Sequence, residues 1–147
     1  MLIPIFLNVA ERNILIVGGG QVGLRKATTL YKAGGNPTVV SPQFCKEFAH
    51  LPIKQWQESF KPKHLEGMQL VFACTNDLAL NRSILEQCRR QGILCQPTGI
   101  SQEGDFLSCA NFNWGEFNIA VGSKGTNVKG ALDVCHQIQT ILESQSE

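Results

Sequence analysis

Short runs of consecutive apolar residues alternate along this chain with longer stretches in which apolar positions recur every three or four residues. Ile14-Leu15-Ile16-Val17 is the first such run and leads directly into Gly18-Gly19-Gly20. A segment apolar at every position predicts a strand covered on both faces, as in a parallel sheet. Val22, Leu24, Ala27, Leu30 and Tyr31 then recur at helical spacing, and Gly34-Gly35 marks the helix end. Pro37–Ser41 reads as a second strand, closed by Pro42. Strand, glycine turn, helix and strand within about 30 residues make a βαβ unit.

The alternation continues. Phe44–Leu51 predicts a weak helix, Ile53–Trp56 a polar strand at the sheet edge, and Lys61–Leu65 a helical turn. Gln69–Cys74 is a second buried strand, Leu78–Gln91 an amphipathic helix stopped by Gly92, and Ile93–Gln96 a further strand. From Pro97 the character changes. Thr98–Asp105 reads as a polar loop, Phe106–Ala110 and Phe117–Val121 as an antiparallel hairpin turning at Asn113–Glu116, and Val128–Leu142 as a terminal helix. The expected fold is therefore α/β, a Rossmann-like doubly wound parallel sheet with a C-terminal β-hairpin and helix. The division expected is a nucleotide-binding domain over residues 1–105 and a hairpin-and-helix region over 106–147.

Composition adds exclusions. With 147 residues, a net charge of +1 and 17% charged residues, the chain carries no electrostatic footprint for nucleic acid or an anionic membrane. No apolar run reaches the ~18 residues of a membrane span, and the opening lacks the features of a signal peptide. The six cysteines include no C-x-x-C pair, so no metal site is expected and reduced thiols in a cytoplasmic protein are the reading adopted.

The chemistry centres on Gly18-Gly19-Gly20-Gln21-Val22-Gly23, a G-x-G-x-x-G loop between a buried strand and a helix. Gly18 permits the turn, Gly20 leaves room for backbone to approach a phosphate, and Gly23 lets helix and strand pack closely. The helix N-terminus then holds the pyrophosphate through N–H groups and the dipole. The second strand ends in Ser41-Pro42-Gln43, with neither an acid for a ribose diol nor an arginine for a 2′-phosphate, and this neutral end favours NAD. Thr75-Asn76-Asp77, after the next central strand, is placed to contact the cofactor, to cap the following helix through Asn76 or Asp77, or to do both.

Pro4-Ile5-Phe6-Leu7-Asn8 followed by Ile16–Lys26, then Phe72–Asp77 with Asn81-Arg82, resembles the precorrin-2 dehydrogenase/sirohydrochlorin ferrochelatase family, the siroheme-synthase N-terminal module. The resemblance implies NAD-dependent oxidation of the tetrapyrrole precorrin-2 to sirohydrochlorin, with iron insertion in bifunctional members. It also implies a homodimer built from the hairpin and last helix, and cofactor contacts at Gln21, Val22, Pro42 and Gln43. The family's catalytic aspartate corresponds to Gly99, and the loop before the last helix is rewritten at Lys124–Val128. Asp105 matches another aspartate common in the family. It is the residue nominated for catalysis, against its reading as a loop aspartate satisfied by nearby N–H groups. The alternative function is a non-catalytic homologue that binds a dinucleotide or tetrapyrrole as carrier, sensor or partner subunit.

Overall fold

The computed structural model describes residues 2–146. Two compact units are present: Phe6–Phe106, and Leu107–Glu147 together with the residues before Phe6. The first unit carries a five-stranded sheet of β1 (Ile14–Val17), β2 (Thr38–Val40), β3 (Lys54–Trp56), β4 (Leu70–Ala73) and β5 (Leu94–Pro97). The strands are all parallel, in the order β3-β2-β1-β4-β5. Helices α1 (Gln21–Lys32) and α2 (Leu78–Arg90) form the crossovers. This is the doubly wound arrangement expected from the alternation of elements.

The period-2 geometry of a strand assigns alternate residues to opposite faces. Leu15 and Val17 join Val71, Ala73, Cys95 and the α2 residues Ile84, Leu85 and Cys88 in one core layer. Ile14 and Ile16 join Val39, Leu70, Phe72, Cys74 and the α1 residues Ala27 and Leu30 in the other. All four residues of β1 are buried, and each fully buried aliphatic side chain contributes about 1.5–3 kcal/mol of transfer free energy. A continuous apolar run is what such a two-sided environment requires.

The sheet edges differ. β3 is polar and exposed at Lys54 and Gln55, which blunts its free edge. The weak helix expected at Phe44–Leu51 is a 3-10 turn, Lys46–His50, and the helical turn expected at Lys61–Leu65 is a 3-10 turn, Pro62–Leu65. The Thr98–Asp105 loop contains a further 3-10 turn at Ser101–Glu103.

The second unit pairs β6 (Ala110–Trp114) antiparallel with β7 (Phe117–Val121) and ends in α3 (Val128–Gln145). The first hairpin strand is therefore not Phe106–Ala110. Phe106 belongs instead to the first unit, where its ring meets Phe72 edge-on with centroids 5.4 Å apart. The connection shrinks to Gly115-Glu116, with Gly115 at φ +58°. A two-residue turn with glycine first matches the twist of paired strands and sets the register Trp114 opposite Phe117.

Candidate dinucleotide site

Parallel strands place their C-terminal ends along one sheet edge, and the order 3-2-1-4-5 reverses direction between β1 and β4. A crevice opens at such a switch point, and ligands bind there. The segments converging on it are Gly18–Gly20 after β1, Ser41–Gln43 after β2, Thr75-Asn76 after β4 and Thr98-Gly99 after β5. Backbone bonds knit them together: Gly18 N–H to Val40 O at 3.0 Å, Cys74 N–H to Val17 O at 2.8 Å, Cys45 N–H to Gly19 O at 2.8 Å and Thr98 N–H to Ala73 O at 2.8 Å.

Gly18 has φ +124°, and a Cβ there would stand 2.5 Å from the Cys74 carbonyl oxygen. A Cβ on Gly23 would meet the Gly18 carbonyl oxygen at 2.1 Å, so helix and strand touch backbone to backbone. Gly19, the x position of the G-x-G-x-x-G pattern, is equally constrained: its Cβ would stand 2.2 Å from Gln43 O. Gly20 differs from all three. Nothing lies within 4 Å of its Cβ direction, which leaves open space where backbone must approach a ligand.

Gly20 is the N-cap of α1, which begins with no side-chain cap. By contrast, Asp77 caps α2, its Oδ1 accepting from Leu80 N–H at 3.1 Å, and Asn127 caps α3, its Oδ1 accepting from Gly130 N–H at 2.8 Å. The first N–H groups of an α-helix have no intrahelical partner and create a positive terminus. Of the three α-helices described, the glycine-loop helix alone presents that terminus without a side-chain acceptor over it. Open space above Gly20 and an uncapped helix start fit a pyrophosphate. Gln21 is exposed at this end and Val22 half-buried against the α1 core layer.

After β2, the buried Ser41 hydroxyl donates to Gln43 O at 2.6 Å and so shapes the turn, while Pro42 and Gln43 are exposed. After β4, the capping role proposed for either Asn76 or Asp77 falls to Asp77, and Asn76 is exposed. Thr75 Oγ1 donates to Asn81 Oδ1 at 2.6 Å. Asn81 itself is fully buried, and in the sequence it stands out only by its family-like position. A polar residue on the inner face of an amphipathic helix was the available signal.

Asp105 lies beside β5 rather than beyond its C-terminal end. Its Oδ2 accepts from Cys95 N–H at 2.9 Å, its own N–H donates to Cys95 O at 2.9 Å, and Oδ1 is 3.5 Å from Arg89 Nε. The residue thus occupies both backbone hydrogen-bonding groups of Cys95 on an edge strand. Gly99 has φ +83°, and a Cβ on it would collide with Leu78 Cδ2 at 2.5 Å. On the α1 side, Lys26 Nζ lies 5.7 Å from the Phe72 ring centroid, and burial lowers its ammonium pKa.

A parallel sheet with this order and a glycine loop feeding an uncapped helix defines a dinucleotide-binding α/β protein. The family described as "Putative NAD(P)-binding" matches residues 5–110. The chain belongs to that family. It is 45% identical over 95 residues to a siroheme synthase of Nitrosomonas eutropha, a match covering 61% of this chain and 20% of the relative. A siroheme synthase of Nitrosomonas europaea is 34% identical over 133 residues, covering 85% of this chain and 27% of the relative. One from Photorhabdus laumondii is 30% identical over 146 residues, covering 97% of this chain and 31% of the relative. The chain therefore spans less than a third of the length of these curated relatives. Among solved structures, its fold matches that of SirC, precorrin-2 dehydrogenase, with a TM-score of 0.76 at 20% identity, covering 98% of this chain and 71% of that one. The likeness read from Pro4–Phe6 and the glycine loop is thus met in both sequence and fold. Among the described residues no helix is long and apolar enough to cross a membrane.

Proposed function

We propose that this chain is an NAD-dependent dehydrogenase of siroheme biosynthesis that oxidises precorrin-2 to sirohydrochlorin. The observation that carries the reading is the uncapped start of α1 beneath the open space at Gly20, in a chain similar to siroheme synthases over most of its length. NAD, when bound, supplies the hydride acceptor. The chain's own residues bind and orient. N–H groups at the start of α1, with Gln21 and Val22, hold the pyrophosphate against the Gly18–Gly23 loop. The backbone of Ser41, Pro42 and Gln43 receives the adenosine ribose, and Thr75 and Asn76 bound the nicotinamide side. Oxidation of precorrin-2 would release a hydride, for which bound NAD would be the acceptor, and a proton, which would pass to water or a carboxylate. Asp105, nominated for that proton, is held by Cys95 N–H and approached by Arg89, an arrangement that supports a bracing role for it.

The domain division is proposed to follow function, with residues 1–105 binding nucleotide and 106–147 mediating a homodimer. Val128, Leu132, Val134 and Ile141 are exposed apolar residues of α3 available for such an association. The protein so described is cytoplasmic.

A second reading is favoured by one observation. Gly99, the position at which the family resemblance calls for a catalytic aspartate, has a left-handed backbone at φ +83°, a conformation that a residue with a side chain rarely adopts. A non-catalytic homologue that holds a dinucleotide or tetrapyrrole follows from it. Purified protein mixed with enzymatically generated precorrin-2 and NAD separates the two. NADH absorbance grows under the first reading. Its absence, with NAD binding retained in calorimetry, establishes the second.

A further inference from the structure

Asn81 projects from the second turn of α2 and is completely buried, yet every hydrogen-bonding group of its amide is used. Oδ1 accepts from Thr75 N–H at 3.2 Å and from Thr75 Oγ1 at 2.6 Å. Nδ2 donates to Thr75 O at 3.0 Å and to Thr98 O at 3.1 Å. A backbone N–H can only donate and carbonyls can only accept, so this pattern fixes which amide atom is which. Two donors and two acceptor contacts also exhaust what one carboxamide offers. The result ties the segment leaving β4 to the segment leaving β5, on the side of the switch point away from β2.

That side has a specific meaning under the cofactor reading on which this inference rests. A dinucleotide lies across the switch point with its pyrophosphate at the first glycine turn and its adenosine ribose at the end of β2. The other half must then extend over the ends of β4 and β5. We infer that Asn81 is the positioning residue for the nicotinamide half: without touching the ligand, it fixes the spacing of Thr75-Asn76 from Thr98-Gly99. The adenosine half, set by the Gly18–Gly23 loop and Ser41–Gln43, does not depend on it.

Asn81→Asp preserves shape and the acceptor for Thr75 while removing the donor to both carbonyls. Calorimetry on the whole chain, with ADP as a probe of the adenosine half and NAD as a probe of both halves, tests the inference. The ADP dissociation constant should stay within about twofold of wild type, while that for NAD should rise at least about tenfold, the scale of a single buried hydrogen bond, of which the change removes two. Lowering the pH from about 8 to about 5.5 should restore part of the NAD affinity, because a neutral carboxyl regains one donor and the facing carbonyls favour that form. Equal weakening of ADP and NAD, or no weakening of either, overturns the inference. Wild-type protein that binds neither probe overturns the cofactor reading beneath it instead. If Asn81→Asp does not fold, Asn81→Ser, which places no charge in the buried site and is too short to bond both loops at once, permits the same ADP and NAD comparison, with the same outcomes deciding.

Discussion

The carbonyl oxygen of Gly18 stands where a side chain on Gly23 would begin, 2.1 Å from the Cβ that residue lacks. Strand β1 and helix α1 are therefore in backbone contact, and no rotamer change relieves an added methyl. Gly23→Ala should destabilise the first unit by about 1–3 kcal/mol, the usual range for overpacking, and lower NAD affinity with it. Gly20→Val should behave oppositely. Gly20 has φ −86° and ψ −166°, an extended backbone any residue adopts, and its Cβ meets nothing within 4 Å. Stability should fall by no more than about 1 kcal/mol, the cost of a β-branched residue at an N-cap, while NAD binding is lost. Urea unfolding and calorimetry on the two variants check this contrast. NAD affinity unchanged in Gly20→Val removes the pyrophosphate from this loop.

The same contact explains what could be read from the residues alone. The βαβ unit was legible because a strand buried on both faces is apolar at every position and because glycines sit where helix and strand meet. β6 was misplaced by four residues because Phe106-Leu107 is apolar and strand-like, whereas Phe106 is drawn into the sheet unit by Phe72. Gly19 carried no signal since its constraint comes from Gln43, a partner more than twenty residues away. Asn81 gave only a weak signal, a polar residue on the inner face of an amphipathic helix. Four hydrogen bonds to two separate loops are a tertiary fact, and an asparagine on a helix reads locally as a neutral choice.

Asp105→Ala separates bracing from proton transfer. Removing the carboxylate leaves Cys95 N–H without its acceptor beside an edge strand, a loss of about 1–3 kcal/mol. The expected outcome is a lower melting temperature with kcat for precorrin-2 oxidation changed less than tenfold when assayed well below that temperature. A fall in kcat of about a thousandfold at unchanged melting temperature instead assigns Asp105 to acid–base chemistry.

Acid should loosen the Ser101–Glu103 turn. Glu103 receives Arg82 in a fork, Nη2 to Oε1 at 2.9 Å and Nε to Oε2 at 3.1 Å, and a hydrogen bond from Arg89 reaches its carbonyl. The bond from Arg82 holds the Glu103 carboxyl below its usual 4.5. A carboxyl depressed on folding contributes stability above its unfolded value and loses it as pH falls through the folded one. Glu58, lowered by its 2.9 Å hydrogen bond to His64, acts in the same direction. Urea midpoints followed from neutral pH downward should decline below about 4.5, and less steeply in Glu103→Gln. An identical decline in that variant excludes the Arg82 fork as a source.

The cysteines should sort by burial rather than by number. Cys109 is exposed, Cys45 half-buried, and Cys74, Cys88, Cys95 and Cys135 are buried, all six as free thiols. A thiol reacts as its thiolate, so exclusion from solvent and a raised pKa act together. Burial raises Cys74, and a hydrogen bond with Cys88 together with burial raises Cys95. A disulfide-exchange reagent at neutral pH should therefore modify Cys109 quickly and Cys45 more slowly, with the other four modified only as the protein unfolds. Mass spectrometry of peptides from timed reactions reads the order. Rapid labelling of Cys95 in folded protein means that β5 opens along the edge Asp105 covers, and the Asp105→Ala variant should show that labelling first.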